Sequence, residues 1–184
     1  MSLNFRASIA EHQATINQLA ALEPALLAAV GMMRASFAQG GTIYVCGNGG
    51  SAADAQHFAA ELTGRFERDR RGYASVALTT DTSALTAIGN DYGFDHIFSR
   101  QLESLARKGD VLVAISTSGN SSNVLAAVEK AKQMGIGTVG LLGRDGGALA
   151  KHVDVSLVVP GARTSRIQES HIFILHCLCE PYEE

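Results

Sequence analysis

A strand, a glycine-rich loop and a helix in direct succession constrain this chain most, and they occupy residues 42–61. The apolar run 42–46 predicts a short strand, and residues 47–51 (GNGGS) predict a tight loop that leads into a helix. Glycines let the backbone approach an anion closely, and the first N–H groups of the helix are expected to face that anion unpaired. Ser51 is expected to cap the helix and Asp54 to lie in its first turn. The unit therefore predicts a phosphate site.

Two polar side chains follow on the same predicted helix. His57 and Glu61 are four residues apart, so both project from one helical face. Such a pair can be a solvated surface feature, but this one belongs to the helix that begins at the anion loop. The pair then suits acid–base chemistry or divalent-metal ligation. At 1.5 Å per residue it would lie about 10–15 Å from the phosphate, a span that suits a sugar phosphate of several carbons.

A second loop repeats this logic. Residues 116–121 (STSGNS) follow the apolar run 111–115, which is typical of a buried parallel strand, and precede a predicted helix that ends near residue 134. A hydroxyl-rich loop at the start of a helix is a second candidate for anion binding. Because both loops follow strand carboxyl ends, we expect them to converge on one phosphate.

Short apolar strands alternate with helices along the chain, which predicts an α/β fold with a five-stranded parallel sheet covered on both faces. Two helices within residues 3–38 precede the first strand, have no position in the sheet, and are expected to pack against another subunit. A helix after residue 80 is expected to end at Ile88, where residues 89–93 (GNDYG) would break it. The remaining predicted elements are strands 74–79, 137–142 and 153–159, and helices 94–106, 148–152 and 164–179.

Composition narrows the function classes. The 184 residues are expected to form one domain, and a net charge of −3 argues against general nucleic-acid binding. The basic run 65–71 (RFERDRR) is diluted by acidic residues and is interpreted as a solvated loop. The longest apolar run, residues 25–33, is too short to span a bilayer, so no membrane is expected. Three cysteines in apolar surroundings suggest reduced thiols and a cytoplasmic protein.

The loop sequences also argue against a nucleotide cofactor. GNGGS is not the G-x-G-x-x-G of dinucleotide sites, and the chain has no GK[ST] of a Walker loop. NAD and ATP are therefore poor candidates. The phosphate of a small phosphorylated metabolite fits two serine- and glycine-rich loops better.

The last predicted helix carries two further candidates, Gln168 and His176. A lone histidine in an apolar helix is more often a hydrogen-bonded core residue than a ligand. The two residues are eight apart, or about 12 Å along a straight helix. One copy of the helix could bring both to a small site only through long side chains or a bend; alternatively, they come from different subunits. On this ground we predict a site at a subunit interface.

The motifs resemble those of the sugar isomerase (SIS) domain family and, within it, of the phosphoheptose isomerases. The matching stretches cover most of the chain after the first two helices: GNGGSAADAQHFAAELTGRF (47–66), LTTDTSALTAIGNDYGFDHIFSRQ (78–101), GDVLVAISTSGNSSNV (109–124), GRDGG (143–147) and RIQESHIFILHCLCE (166–180). The STSGNS segment alone would mark only a generic phosphosugar-binding domain.

This resemblance implies conversion of sedoheptulose 7-phosphate to D-glycero-D-manno-heptose 7-phosphate, a step towards lipopolysaccharide heptose. It also implies a flavodoxin-like SIS domain over residues 1–184, with the helical pair 1–40 used in packing, and a homotetramer with interfacial active sites. Implied phosphate ligands are Ser51, Ser116, Thr117, Ser118 and Ser121. Implied sugar contacts are Asn48, Gly49, Gly50, Asn90, Asp91 and Gln168. Implied ligands of one zinc ion per subunit are His57, Glu61, Gln168 and His176.

The same resemblance implies that Glu61 and His176 are the acid–base pair, which conflicts in part with zinc ligation. A metal-bound carboxylate is a poor base. Zinc could polarise the carbonyl and leave the proton to either residue, or zinc could be adventitious and the pair act alone. We expect Glu61 to be the base and His176 the acid.

A non-enzymatic alternative comes from relatives in the same family. Those relatives are tetrameric adaptors that bind a replication-initiation protein, and they share the serine loop, the RIQE motif and the CLC segment. They lack the catalytic carboxylate and histidine. Because Glu61 and His176 are both present here, the isomerase is the preferred prediction.

Overall fold

A computed structural model describes residues 4–183 of the chain, and within them the strands form one parallel sheet of order β2-β1-β3-β4-β5. The strands are β1 (Ile43–Cys46), β2 (Ser75–Ala77), β3 (Val111–Ser116), β4 (Gly137–Gly143) and β5 (Val155–Val159). This is the flavodoxin-like order, whose topological switch point lies between β1 and β3. The predicted fold class is therefore confirmed.

Seven α-helices accompany the sheet in the described residues: α1 (Phe5–Ile16), α2 (Glu23–Ala38), α3 (Gly50–Thr63), α4 (Thr82–Tyr92), α5 (Ser99–Leu105), α6 (Ser122–Gln133) and α7 (Thr164–Cys179). The two helices predicted before the first strand are present as α1 and α2. The predicted helix 94–106 is divided into a short 3₁₀ turn, Phe94–His96, and α5.

The predicted break at residues 89–93 is wrong, because α4 continues to Tyr92. Asp81 caps this helix, since its side chain accepts from the Ala84 amide at 2.9 Å, and Gly93, with φ of 89°, ends it. Gly89 has ordinary helical geometry, and one such glycine costs a helix only about 1 kcal/mol. Only the left-handed residue at position 93 stops the helix.

Side chains of β1 alternate between two apolar layers. Ile43 and Val45 of β1 pack in the layer shared with α2, α3 and α7, whereas Tyr44 and Cys46 pack in the layer shared with α5 and α6. This alternation places helices on both faces of the sheet, as predicted. It also brings α3 and α7, the two helices that carry the candidate polar residues, to the same face.

The helical stretch Phe5–Ala38 is long and apolar enough to cross a membrane by length and composition alone, with a mean hydropathy of 1.3 over 18 residues. The apolar run 25–33, considered alone, did not predict this longer apolar stretch. A 3₁₀ turn, Leu19–Leu22, divides the stretch, and α2 buries Val30 and Met33 in the core. Core helices of soluble proteins pass the same test, so the finding is weak evidence for a membrane span.

His171 of α7 should make stability depend on pH. It is fully buried, its Nε2 lies 3.0 Å from the Leu142 carbonyl and Nδ1 has no partner. Burial lowers the pKa of His171 to about 4. Between about pH 6.5 and 4 the unfolded chain therefore binds this proton and the folded chain does not, so stability falls as pH falls. A shift of this size corresponds to about 3 kcal/mol of unfolding free energy.

Urea denaturation between pH 7 and pH 4 checks this expectation. His171→Gln should lose about 3 kcal/mol less across that window than the wild type. His96→Gln, at an exposed histidine, serves as the matched control and should follow the wild-type curve. Parallel wild-type and His171→Gln curves would contradict the assignment.

Candidate functional site

The two polar loops meet at the carboxyl ends of β1 and β3. Cys46 and Ala114 are register partners on these adjacent strands, so the loop residues that follow them are neighbours. The side-chain amides of Asn48 and Asn123 then exchange two hydrogen bonds, of 2.8 and 2.9 Å. The two loops are therefore neighbours, whereas their convergence on one phosphate stays a prediction; Asn123, at the start of α6, is a contributor that the sequence did not single out.

The start of α3 differs from expectation. Gly49, with φ of 57°, is the residue before the helix, and Ser51 lies inside the first turn, buried and without a capping role. Asp54 is consequently beyond the first turn. The amides of Ser51 and Ala52 donate to the carbonyls of Asn48 and Gly49 at 3.0 Å. Because this tight turn uses those donors locally, α3 offers an anion fewer free N–H groups than the sequence suggests.

The loop before α6 is richer in hydroxyl groups. Ser116 Oγ lies 3.0 Å from Ser121 Oγ and 3.5 Å from Ser118 Oγ, which gathers three hydroxyl groups at the helix start. Ser121 precedes the helix but does not cap it. The hydroxyl groups and the first-turn amides of α6 therefore point to the same end of the fold, an arrangement suited to a phosphate.

A second polar cluster lies where α3 packs on α7. His57 Nε2 is 3.2 Å from Glu61 Oε1 and 3.0 Å from His176 Nε2. The expected sharing of one helical face by His57 and Glu61 is confirmed. His176 joins them from a position 119 residues away along the chain. His176 is therefore not the isolated core histidine that its apolar neighbours in sequence would favour.

The donor atoms of this cluster fit a metal ion. One ligand atom from each of His57, Glu61 and His176 lies within 4.8 Å of the others. Ligands of tetrahedral zinc with bonds near 2.1 Å are about 3.4 Å apart, close to the two short separations here. Two imidazole nitrogens and a carboxylate are also the donor types that zinc prefers. The cluster can therefore hold a divalent cation.

Gln168 lies at the other end of α3. Its side-chain amide packs against Gly50, where an added Cβ would lie 2.1 Å from Nε2. Gly50 precedes His57 by seven residues, about 10 Å along the helix. Within one copy of the chain, Gln168 therefore lies near the two loops, whereas His176 lies in the cluster with His57 and Glu61.

Asn90 and Asp91 lie on α4, where the Asn90 amide donates to the Asp91 carboxylate at 2.7 Å. Both residues are exposed, and α4 has no buried residue. Among the described residues, no hydrogen bond joins either of them to the two loops. Their predicted role as sugar contacts stays a prediction.

The basic run 65–71 contains a residue that the sequence interpretation missed. Arg65, Arg68 and Arg71 are exposed, as expected for a solvated loop. Arg70 is different, because only 7% of its side chain is exposed and its guanidinium donates to carbonyls at the end of α3. No sequence signal distinguishes it from its neighbours, since its carboxylate partner, Glu183, lies 113 positions away along the chain.

Known proteins match both the sequence and the fold. A model of the SIS domain matches residues 6–143. The chain is 56% identical over 173 residues to the phosphoheptose isomerase of Campylobacter concisus, covering 94% of this chain and 92% of that protein.

Solved structures agree with the sequence matches. The phosphoheptose isomerase of Neisseria gonorrhoeae superimposes with a TM-score of 0.91 at 51% identity, over 96% of this chain and 95% of that one. The structure from Francisella tularensis gives a TM-score of 0.92 at 39% identity, over 95% and 94% of the two chains. The two structural matches cover nearly the whole chain, and the family model covers both loops and α3.

Proposed function

The chain belongs to the SIS-domain family and, within it, to the phosphoheptose isomerases, and on this premise we propose that it converts sedoheptulose 7-phosphate to D-glycero-D-manno-heptose 7-phosphate. The family establishes an isomerase. The heptose substrate, and a place in the synthesis of lipopolysaccharide heptose, belong to the proposal.

One observation carries the proposal: α3 connects a hydroxyl-lined loop region at its start to a carboxylate–imidazole cluster two turns later. The phosphate of the sugar would lie against Ser116, Ser118 and Ser121, with Ser51 and Thr117 beside them. The reacting carbons would lie about 10–15 Å away, near Glu61 and His176. Asn48, Gly49, Gly50, Asn90, Asp91 and Gln168 would line the sugar between the two ends.

The reaction then needs one proton to move between two carbons. Glu61 removes the proton from C1 while His176 gives a proton to the C2 oxygen, which forms an enediol. His176 next takes the proton from the C1 oxygen, and Glu61 delivers its proton to C2. Positioned acid–base groups of this kind contribute about 10²- to 10⁴-fold to a rate.

The same residues would hold the zinc ion that the family implies, one per subunit; because a metal-bound carboxylate is a poor base, zinc ligation by Glu61 and its role as the base are alternatives within this proposal. A bound zinc ion would supply a Lewis acid that stabilises negative charge on the enediolate oxygens. His57, Glu61 and His176 would be ligands from one subunit, and Gln168 would come from another, because its own amide lies at Gly50. No nucleotide cofactor is part of this proposal.

The assembly in this proposal is a homotetramer with active sites between subunits. Its support is the apolar surface that α1, α2 and α7 leave exposed, at Phe5, Ile9, Leu27 and Phe173. Residues 1–184 would form one SIS domain, with the helical pair 1–40 used in packing, although residues 1–3 and 184 lie outside the described part. The proposal further places the enzyme in the cytoplasm, with no nucleic-acid or membrane partner.

The first test is turnover of sedoheptulose 7-phosphate by the purified protein, before and after treatment with a chelator. We expect isomerisation, and we expect the chelated protein to lose most of it and to recover it on addition of zinc. Unchanged turnover in zinc-free protein would remove the metal from the proposal. No turnover with zinc present would overturn the isomerase assignment for this substrate and favour the adaptor alternative.

A further inference from the structure

The connector between α3 and β2, residues 64–74, contacts both members of the proposed acid–base pair. Arg70 Nη2 donates to the backbone carbonyl of Glu61 at 2.8 Å, and Nη1 donates to that of Leu62 at 3.0 Å. These carbonyls belong to the last turn of α3, which lacks partners within the helix. A buried guanidinium at this position satisfies them and suits the negative end of the helix dipole.

The connector reaches the histidine through an aromatic ring. The ring of Phe66 packs near that of His176, with centroids 5.4 Å apart and planes inclined by 36°. The other ring neighbour of His176 is His57, whose ring centroid is 5.2 Å away. Phe66 therefore limits how far the His176 ring can move away from the cluster.

The carboxylate of Glu183, near the end of the chain, accepts three hydrogen bonds from the connector. One carboxylate oxygen accepts from the amides of Glu67 and Arg68, at 2.9 and 2.5 Å, and the other accepts from Arg70 Nε at 3.1 Å. These bonds, led by the one from the Arg68 amide, hold the pKa of Glu183 below its usual value. The bonded amides directly follow Phe66, so a single carboxylate restrains both the aromatic contact to His176 and the guanidinium contact to Glu61.

The segment that carries Glu183 is itself anchored in the core. Tyr182 is buried, its hydroxyl donates to the Val30 carbonyl at 3.2 Å, and its ring packs edge-on against Phe37. Arg34 adds a bond to the Pro181 carbonyl at 3.2 Å. Glu183 therefore follows two residues that are anchored to α2. Its three hydrogen bonds restrain the position of the connector relative to the core.

We propose that Arg70 and Glu183 are positioning residues that hold Glu61 and His176 at the separation required for proton transfer. This inference rests on the proposed isomerase function. Neither residue touches the two loops, so the pair should affect the chemical step and leave substrate binding nearly unchanged. Small displacements of catalytic groups can cost up to about 100-fold in rate.

The test compares Glu183→Ala, Arg70→Ala and the double variant, with Glu180→Ala as a matched control. Glu180 lies on the same segment and is exposed. With sedoheptulose 7-phosphate, well below the melting temperature, kcat of each single variant should fall between about 10-fold and 100-fold. KM should change less than about twofold, the control should match wild type, and the double variant should be no worse than the poorer single variant.

A second readout needs no turnover. The ¹³C–¹H signal of the His176 ring, assigned by its loss in His176→Gln, should move in Glu183→Ala and stay in Glu180→Ala. A lowered melting temperature with wild-type kcat and an unmoved His176 signal would reduce Glu183 to a structural role and overturn the inference. If the wild type itself shows no turnover, the proposed isomerase function is refuted. The shift of the His176 signal in Glu183→Ala then tests by itself whether Glu183 positions His176.

Discussion

Glu61→Gln is expected to lower kcat for sedoheptulose 7-phosphate by about 10³-fold, with little change in KM. Glutamine has nearly the same shape as glutamate but cannot accept the C1 proton. The loops that would bind the phosphate lie at the other end of α3 and should be unaffected. Steady-state kinetics at saturating substrate measure the effect, and circular dichroism confirms that the variant is folded.

Two comparisons separate the role of Glu61 as a base from its role as a metal ligand. Glu129→Gln removes an exposed carboxylate on α6 and should retain wild-type kinetics. His57→Gln weakens the metal cluster but leaves the proposed base in place. If His57→Gln is as inactive as Glu61→Gln and both regain activity at high zinc, Glu61 acts through the metal. Wild-type activity in Glu61→Gln would exclude it as the base.

Gly119→Ala, at the glycine of the loop 116–121, should strongly destabilise the protein. Gly119 has φ of 67°, and an added Cβ would lie 2.0 Å from the Gly146 carbonyl oxygen and 2.3 Å from its carbon. Both contacts are with backbone atoms of the GRDGG turn, which cannot rotate away. A strained φ and overpacking together should lower the free energy of unfolding by about 2–4 kcal/mol. The loop should also shift, raising KM for the sugar phosphate by about tenfold.

Gly31→Ala is the matched control for this substitution. Gly31 lies within α2, and an added Cβ there would meet no atom within 4 Å. Alanine should therefore stabilise the protein by about 0.5–1 kcal/mol, because it reduces the freedom of the unfolded chain and favours the helix. The midpoint of urea denaturation should fall for Gly119→Ala and rise for Gly31→Ala. Equal stability of Gly119→Ala and wild type would show that the backbone at Gly146 can move to accommodate the added Cβ.

Predictions from the sequence succeeded where the information is local. Short apolar runs between polar loops located all five described strands, although β2 covers only Ser75–Ala77 of the predicted 74–79. Two of the errors are also local, and they concern ends of helices. Ser51 resembles a cap, yet the left-handed Gly49 takes the position before α3; residues 89–93 resemble a break, yet α4 continues to Tyr92 and ends only at Gly93. At both places a glycine conformation decided what residue preferences could not.

The sequence by itself determined the α/β class, the two serine- and glycine-rich loops and the pairing of His57 with Glu61, because strand alternation and helical periodicity act over a few residues. Residue spacing did not bring His176 to that pair: the family resemblance implied it and the tertiary structure shows it. Only the tertiary structure joined Asn123 to Asn48 and buried Arg70 against Glu183. Each of these contacts depends on how α7, α6 or the segment after α7 packs across the sheet. Packing is set by the whole core, and no spacing along the chain encodes it.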